Sequence, residues 1–173
     1  MTDDEALMNF VDYLSSVRNY SENTVISYKT DILEFSDFIK KKKMAPSLTR
    51  IMNTLPAKNY LIYMNSLKYS ATTINRHLSS LRTFYDFLMK RHVVEKNFFE
   101  EIASIKKPKR LPEILKNKEI MDMMNSIDQK TPMGLRNYLI VSILYGCGLR
   151  VSEMCALEIS NLDFSNETIH IHG

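Results

Sequence analysis

The 173-residue sequence has little of what marks several protein classes. It holds two cysteines, Cys147 and Cys155, at no ligand-like spacing, so neither a disulfide framework nor a cysteine metal site is indicated. No apolar run approaches the ~20 residues of a membrane span, and residues 1–18 lack a basic start followed by an apolar stretch. No membrane association or secretion is expected, and a cytoplasmic location is the default. Glycine and proline number only 4 and 5, which excludes a collagen-like repeat. With 45% hydrophobic and 25% charged residues, wholesale disorder is excluded as well. No period of 20–50 residues suggests a solenoid. The length accommodates one domain or two small ones.

The net charge of +3 becomes informative once divided along the chain. Residues 1–105 carry 14 Lys/Arg against 12 Asp/Glu, residues 106–118 carry 6 against 1, and residues 119–173 carry 3 against 7. Positive charge is therefore concentrated in a short middle segment, either a solvated linker or a place where a polyanion is gripped.

Helical periodicity dominates the first hundred residues. Leu7, Phe10, Val11, Leu14 and Val17 recur at helix spacing, and Asn19-Tyr20-Ser21 interrupts them. Ser21 then caps a second helix with the apolar line Val25, Tyr28, Ile32, Phe35 and Ile39. It ends in Lys40 to Lys43, where cations meet the negative end of the helix dipole; the run reads as a solvated helix end first and a phosphate contact second. A third helix starts near Thr54-Leu55-Pro56 and carries Tyr60, Leu61, Met64 and Leu67 inward. Ser70 caps a fourth, with Ile74, Leu78, Leu81, Tyr85 and Leu88 as its stripe. Four short-linked amphipathic helices bury one another's stripes as a compact four-helix domain.

Opposite the stripe of the fourth helix lie Thr72, Arg76, Ser79 and Thr83, flanked by Asn75 and Arg82, with no acid before Asp86. Such side chains reach phosphates and base edges when a helix enters the major groove, and they equally suit a plain solvent face. Residues 95–105 predict a short helix using Phe98, Phe99 and Ile102. Lys106-Lys107-Pro108-Lys109-Arg110-Leu111-Pro112 follows, with two prolines favouring an extended connection and marking the domain boundary. Domains are thus expected over 1–104 and 113–173, with a basic linker over 105–112.

Beyond the linker, Asn117 is expected to cap a helix with Ile120, Met123, Met124 and Ile127, the methionines serving as core filler. Thr131-Pro132 signals another, running through Leu135, Leu139 and Ile143. Gly146-Cys147-Gly148 forces a turn, Arg150 to Leu157 restarts a helix, and Asn161 to His172 patterns as a hairpin turning at Ser165-Asn166. Two histidines on one strand face, His170 and His172, make a poor zinc site without a third ligand. Arg150 directly follows the glycine turn at a helix start, where a guanidinium offers paired donors to an anion. A surface pair with Glu153 at i, i+3 is the structural alternative.

The stretch Leu144-Tyr145-Gly146-Cys147-Gly148-Leu149-Arg150-Val151-Ser152-Glu153-Met154-Cys155-Ala156-Leu157 resembles the first catalytic-arginine box of the tyrosine recombinases, the phage integrase family, and is most similar to Xer-type enzymes. The match extends through Asp163 and the strand Thr168–His172. Leu111-Pro112 resembles the opening of the family's catalytic domain. Ser70 to Arg76 through Phe84 to Leu88 resembles the last large helix of its core-binding domain, and Ser21 to Asp31 its second helix. Cys147 replaces the usual Thr, and Phe98 stands where Asn-Pro is common.

The resemblance implies a mainly α chain: a four-helix, SAM-like core-binding domain, a linker, then the incomplete start of an α+β catalytic domain with a short β-hairpin. It implies site-specific DNA recombination in the full-length protein, through a 3′-phosphotyrosyl intermediate and without ATP, metal or other cofactor. Arg150 matches the family's first catalytic arginine and Glu153 the acid that holds it. Lys106, Lys107, Lys109 and the fourth-helix residues would bind a double-stranded recombination site. The full-length protein would assemble with itself or a related recombinase in a tetrameric synapse. All nine tyrosines precede Arg150, so no candidate stands in the nucleophile's place and these 173 residues are expected to bind DNA without cutting it. A natural binding-only relative is the alternative, and a helical protein-interaction module a third.

Overall fold

The computed structural model describes residues 1–106 and 114–171. They form two compact units, residues 1–106 and residues 114–171. In the first, α1 (Asp3–Ser16), α2 (Glu22–Lys41), α3 (Leu55–Ser66) and α4 (Ala71–Lys90) follow in order, with a 3₁₀ turn at Leu48–Arg50 between α2 and α3. The helix starts are chemically specified. Thr2 and Glu5 form a reciprocal capping box on α1, the Oγ of Ser21 accepts the Thr24 N–H, and the Oγ of Ser70 accepts the Thr73 N–H. At α3 it is Asn53 rather than Thr54 whose side chain accepts the Leu55 N–H.

The ends of these helices share one device. No glycine precedes Gly134, yet Asn19, Lys43, Lys68 and His92 each take φ between 50° and 58° just past a helix. The next residue then folds back to a carbonyl of the last turn: Tyr20 to Leu14, Met44 to Ile39, Tyr69 to Met64 and Val93 to Leu88. All four are half-buried apolar residues packed on the core, so each closing bond is paired with a hydrophobic contact.

The core is aromatic. Phe10 meets Phe84 edge-on at 5.1 Å, and Phe99 lies 5.1 Å from both Phe35 and Tyr85. Every stripe residue expected on α4 is buried, as are Val25, Ile32, Phe35 and Ile39 on α2. Val17 and Leu67, expected inward, are exposed because each helix ends as they are reached. The short helix expected over 95–105 is instead a turn followed by chain without regular secondary structure. The buried Asn97 captures the Phe99 N–H with its own Oδ1 and gives its Nδ2–H groups to Arg82 O and Asp86 Oδ1, which competes with helical pairing.

In the second unit α5 (Asn117–Asn125), α6 (Pro132–Cys147) and α7 (Val151–Cys155) precede a 3₁₀ turn at Ile159–Asn161 and strands β1 (Leu162–Asp163) and β2 (Thr168–Ile169). The strands pair antiparallel, Leu162 with Ile169 and Asp163 with Thr168. The β2 pairing is shorter than the expected Thr168–His172, and His172 lies outside the described residues. Asp163 organises the turn, accepting the backbone N–H of Ser165 and Asn166 and the Asn166 side chain; these bonds, the Asn166 side chain foremost, hold its pKa below the ordinary value.

The cap of α5 is Lys116, not Asn117. Glu119 reaches back to the Lys116 N–H at 2.7 Å, and the Asn117 Oδ1 accepts the Tyr145 hydroxyl instead. Thr131 caps α6 through the Gly134 N–H, as its sequence position implies. Gly134 is required there: a Cβ would fall 1.8 Å from the Asp128 carbonyl oxygen. Among the described residues of this unit only Ile120 and Gly134 are buried, and Leu139 remains 48% exposed. No described helix is long and apolar enough to cross a membrane.

Candidate nucleic-acid interface and arginine box

Burial of Ile74, Leu78, Leu81, Tyr85 and Leu88 fixes the rotation of α4 and turns its polar face outward. Thr72, Arg76 and Ser79 are exposed and Thr83 is half-buried, its Oγ1–H bonded to the Ser79 carbonyl. Arg76 belongs to two environments. Its Nη1 lies 2.5 Å from Oδ1 of the fully buried Asp31 on α2, while the side chain stays 42% exposed. Asn75 and Arg82, expected at the flanks of this face, give their polar atoms to the chain itself, mostly to its backbone. Asn75 pairs with both backbone groups of Ile105, and Arg82 donates to Phe99 O, Ile102 O and Ser104 Oγ. Lys106 is exposed; Lys107 and Lys109 lie outside the described residues.

Beneath the face is a polar cluster that helical periodicity did not single out. Asp31 accepts from Arg76 on Oδ1 and from the Ser80 hydroxyl on Oδ2 at 2.7 Å, and His77 Nε2 lies 3.2 Å from Oδ1. The Nδ1 of His77 is 3.1 Å from the Tyr60 hydroxyl. Burial raises the Asp31 pKa, with Ser80 and Arg76 opposing it. Burial lowers that of His77, against the pull of Glu34, and raises that of Tyr60 beside the charges of Glu34 and Asp31. The sequence signal was present: Asp31, His77 and Ser80 are polar residues inside apolar arcs, where a buried polar group needs partners.

In the second unit Gly148 ends α6 with φ 64°, in the left-handed region that glycine adopts without steric cost, and Arg150 is the residue from which α7 starts. Glu153 grips Arg150 twice. One carboxylate oxygen accepts the Arg150 backbone N–H at 2.7 Å and the other the guanidinium at 2.6 Å. These bonds, the backbone one foremost, lower the Glu153 pKa. The guanidinium is held yet 82% exposed, available to an anion while its carboxylate partner is mostly covered at 21%. An arginine fixed this way suits stabilisation of negative charge on a phosphate rather than proton transfer.

Residues 7–92 match the phage integrase N-terminal SAM-like domain and residues 113–173 match the phage integrase family. The chain belongs to the phage integrase family, the tyrosine recombinases. Xer-type enzymes are among its relatives there. Tyrosine recombinase XerC of Lacticaseibacillus casei (strain BL23) is 35% identical over 164 residues, 95% of this chain and 55% of that protein. XerC of Bacillus subtilis (strain 168) is 34% identical over 170 residues, 95% of this chain and 53% of that protein. The fold is shared with the Tn1549 transposon integrase, solved in complex with circular intermediate DNA, at a TM-score of 0.74 and 20% identity over 99% of this chain and 54% of that one. The chain thus spans about half the length of the curated relatives it matches.

Proposed function

We propose that this chain serves site-specific DNA recombination as the DNA-binding amino-terminal part of a Xer-like recombinase. The observation that carries the proposal is the arginine box: an exposed guanidinium at Arg150, fixed by Glu153 directly after the left-handed Gly148 turn. In the whole enzyme Arg150 stabilises the charge that builds on phosphorus while a tyrosine hydroxyl displaces a 5′-hydroxyl and forms a 3′-phosphotyrosyl link. The partner is a double-stranded recombination site, bound by further copies or a related recombinase in a tetrameric synapse. In the first unit, Thr72, Arg76 and Ser79 on α4 face the major groove, and the basic segment from Lys106 contacts backbone phosphates.

Titration of the chain with fluorescent duplex DNA at a series of salt concentrations tests this reading. Binding falls with salt, and replacing Lys106, Lys107 and Lys109 by Ala flattens the plot of log affinity against log salt by ~2–3 units, whatever the DNA sequence. Affinity that ignores salt, or a triple variant with an unchanged slope, would overturn it. On a nicked suicide duplex these 173 residues form no covalent adduct, since none of the nine tyrosines follows Arg150.

A further inference from the structure

Asn75 and Arg82 stand seven residues apart on α4, two turns or about 10 Å along its axis. Both bind the chain that leaves the helix, and the order of their contacts gives that chain a direction. Arg82 Nε donates to Phe99 O at 3.1 Å, its Nη2 to Ile102 O and its Nη1 to Ser104 Oγ at 3.3 Å. Asn75 then takes Ile105 from both sides, Nδ2–H to its carbonyl and Oδ1 from its N–H, each at 2.8 Å. The chain therefore runs antiparallel to α4. The three-residue advance from Ile102 to Ile105 can span up to about 10 Å, enough to reach across the two turns between the anchors.

The start of this path is also fixed. Asn97 Nδ2–H bonds Arg82 O at 3.0 Å and Asp86 Oδ1 at 2.6 Å, and Phe99 is sunk between Phe35 and Tyr85. Lys106 consequently departs beside Asn75, next to Arg76 and one turn from Thr72. Without the return path the basic run would begin near Lys90, about 22 Å away along the helix.

We propose that Asn75 and Arg82 are positioning residues for DNA binding. They hold residues 97–105 so that Lys106, which opens the basic run, leaves from beside the amino-terminal half of α4, and their own polar atoms do not read the DNA. This inference rests on the reading of α4 and the basic segment as a DNA-binding surface. Asn is suited to the first anchor because one amide supplies both a donor and an acceptor to a backbone unit, which Asp cannot do when ionised. The effect on affinity comes from preorganisation: a tether already placed loses less freedom on binding than a loose one.

A double-mutant cycle in the full 173-residue chain tests it, read with random-sequence duplex DNA at fixed low salt. Asn75→Ala is expected to speed amide exchange at Ile105 and trypsin cleavage after Lys106, and to weaken DNA binding about three- to tenfold. In a background with Lys106, Lys107 and Lys109 replaced by Ala, the same substitution should change affinity by less than about twofold, because no charges remain to be delivered. Arg82→Lys keeps the charge while losing the forked contact, and it carries the same cycle if Asn75→Ala fails to fold. Equal losses in both backgrounds would mean that the side chain contacts DNA itself and would overturn the inference, as would unchanged exchange at Ile105. A wild-type chain with no salt-dependent binding fails at an earlier step, and that result would sink the DNA-binding reading along with this one.

Discussion

The Nη1 of Arg76 on α4 lies 2.5 Å from the Oδ1 of Asp31 on α2, joining a half-exposed guanidinium to a carboxylate with no solvent exposure. The pair makes one residue serve two purposes. Arg76 neutralises a charge inside the first unit, and it is also the only cation among the exposed residues on the α4 face proposed to meet DNA. Loss of Arg76 therefore acts on the fold before it acts on recognition.

Arg76→Ala should destabilise the first unit by about 3 kcal/mol, because removing one partner strands a buried charge. Adding Asp31→Asn should recover part of that loss, since the stranded charge goes too. Urea unfolding of the single and double variants checks this. A loss below about 0.5 kcal/mol for Arg76→Ala would show that Ser80 and His77 suffice for Asp31. In conditions where the variant remains folded, Arg76→Ala should narrow the gap between cognate and random DNA. An equal drop in both affinities would contradict groove contact by Arg76.

Stability should fall as pH drops from 7.5 to 5.5. His77 is faced by Asp31 and Glu34 from α2, by Tyr60 from α3, by Tyr69 before α4 and by its neighbour Arg76. Burial sets its folded pKa below 6.5, so in this window the unfolded chain binds more protons. The contribution is complete above the unfolded value and is lost as pH falls beneath it, at no more than about 1.4 kcal/mol per pH unit. Asp31, whose folded pKa is raised above 3.8, acts in the opposite sense at lower pH and offsets part of the loss. His77→Gln should flatten the profile between pH 7.5 and 5.5 in chemical unfolding; matching slopes for variant and wild type would exclude His77 as the source.

Glu153 should titrate below its ordinary 4.5 and rise toward it in the Arg150→Ala variant. The depressed value means that the contact is complete at neutral pH and is lost as pH falls through the folded pKa. Glu153→Ala should release both the Arg150 amide and its guanidinium, seen as faster exchange of both sets of N–H signals by NMR. Retained protection would show that α7 holds Arg150 without the carboxylate.

The left-handed residues at the helix ends give a stabilising change. Lys68 sits at φ 58° with the bond from Tyr69 N to Met64 O closing the end of α3. Lys68→Gly should raise stability by up to about 1 kcal/mol, because the Cβ cost of the left-handed conformation disappears. A lower urea midpoint would mean that the lysine side chain contributes more than its backbone conformation costs.

The order of α1 to α4, the starts of α2, α4 and α6 and the inward stripe of α4 were legible in the sequence because periodicity and capping are local. Ser21, Ser70 and Thr131 satisfy N–H groups three residues away, and no distant contact is needed to place them. Arg150 and Glu153 were legible for the same reason, since their bonds span three residues.

What the helical pattern left open was the use of each flank. Asn75 and Arg82 occupy the margin between stripe and solvent face, and periodicity does not say whether a margin meets water or another part of the chain. Only the return of residues 97–105 along α4, 30 positions removed in the Asn75–Ile105 pairing, decided that they bind backbone. The same holds for Asp31, which pairs across 45 residues with Arg76 and 49 with Ser80. Local sequence determined the four long helices of the first unit and the caps of α2, α4 and α6. Tertiary packing decided which polar side chains face solvent and which satisfy buried groups, because a buried carboxylate or carbonyl must find its donor wherever the fold brings one near.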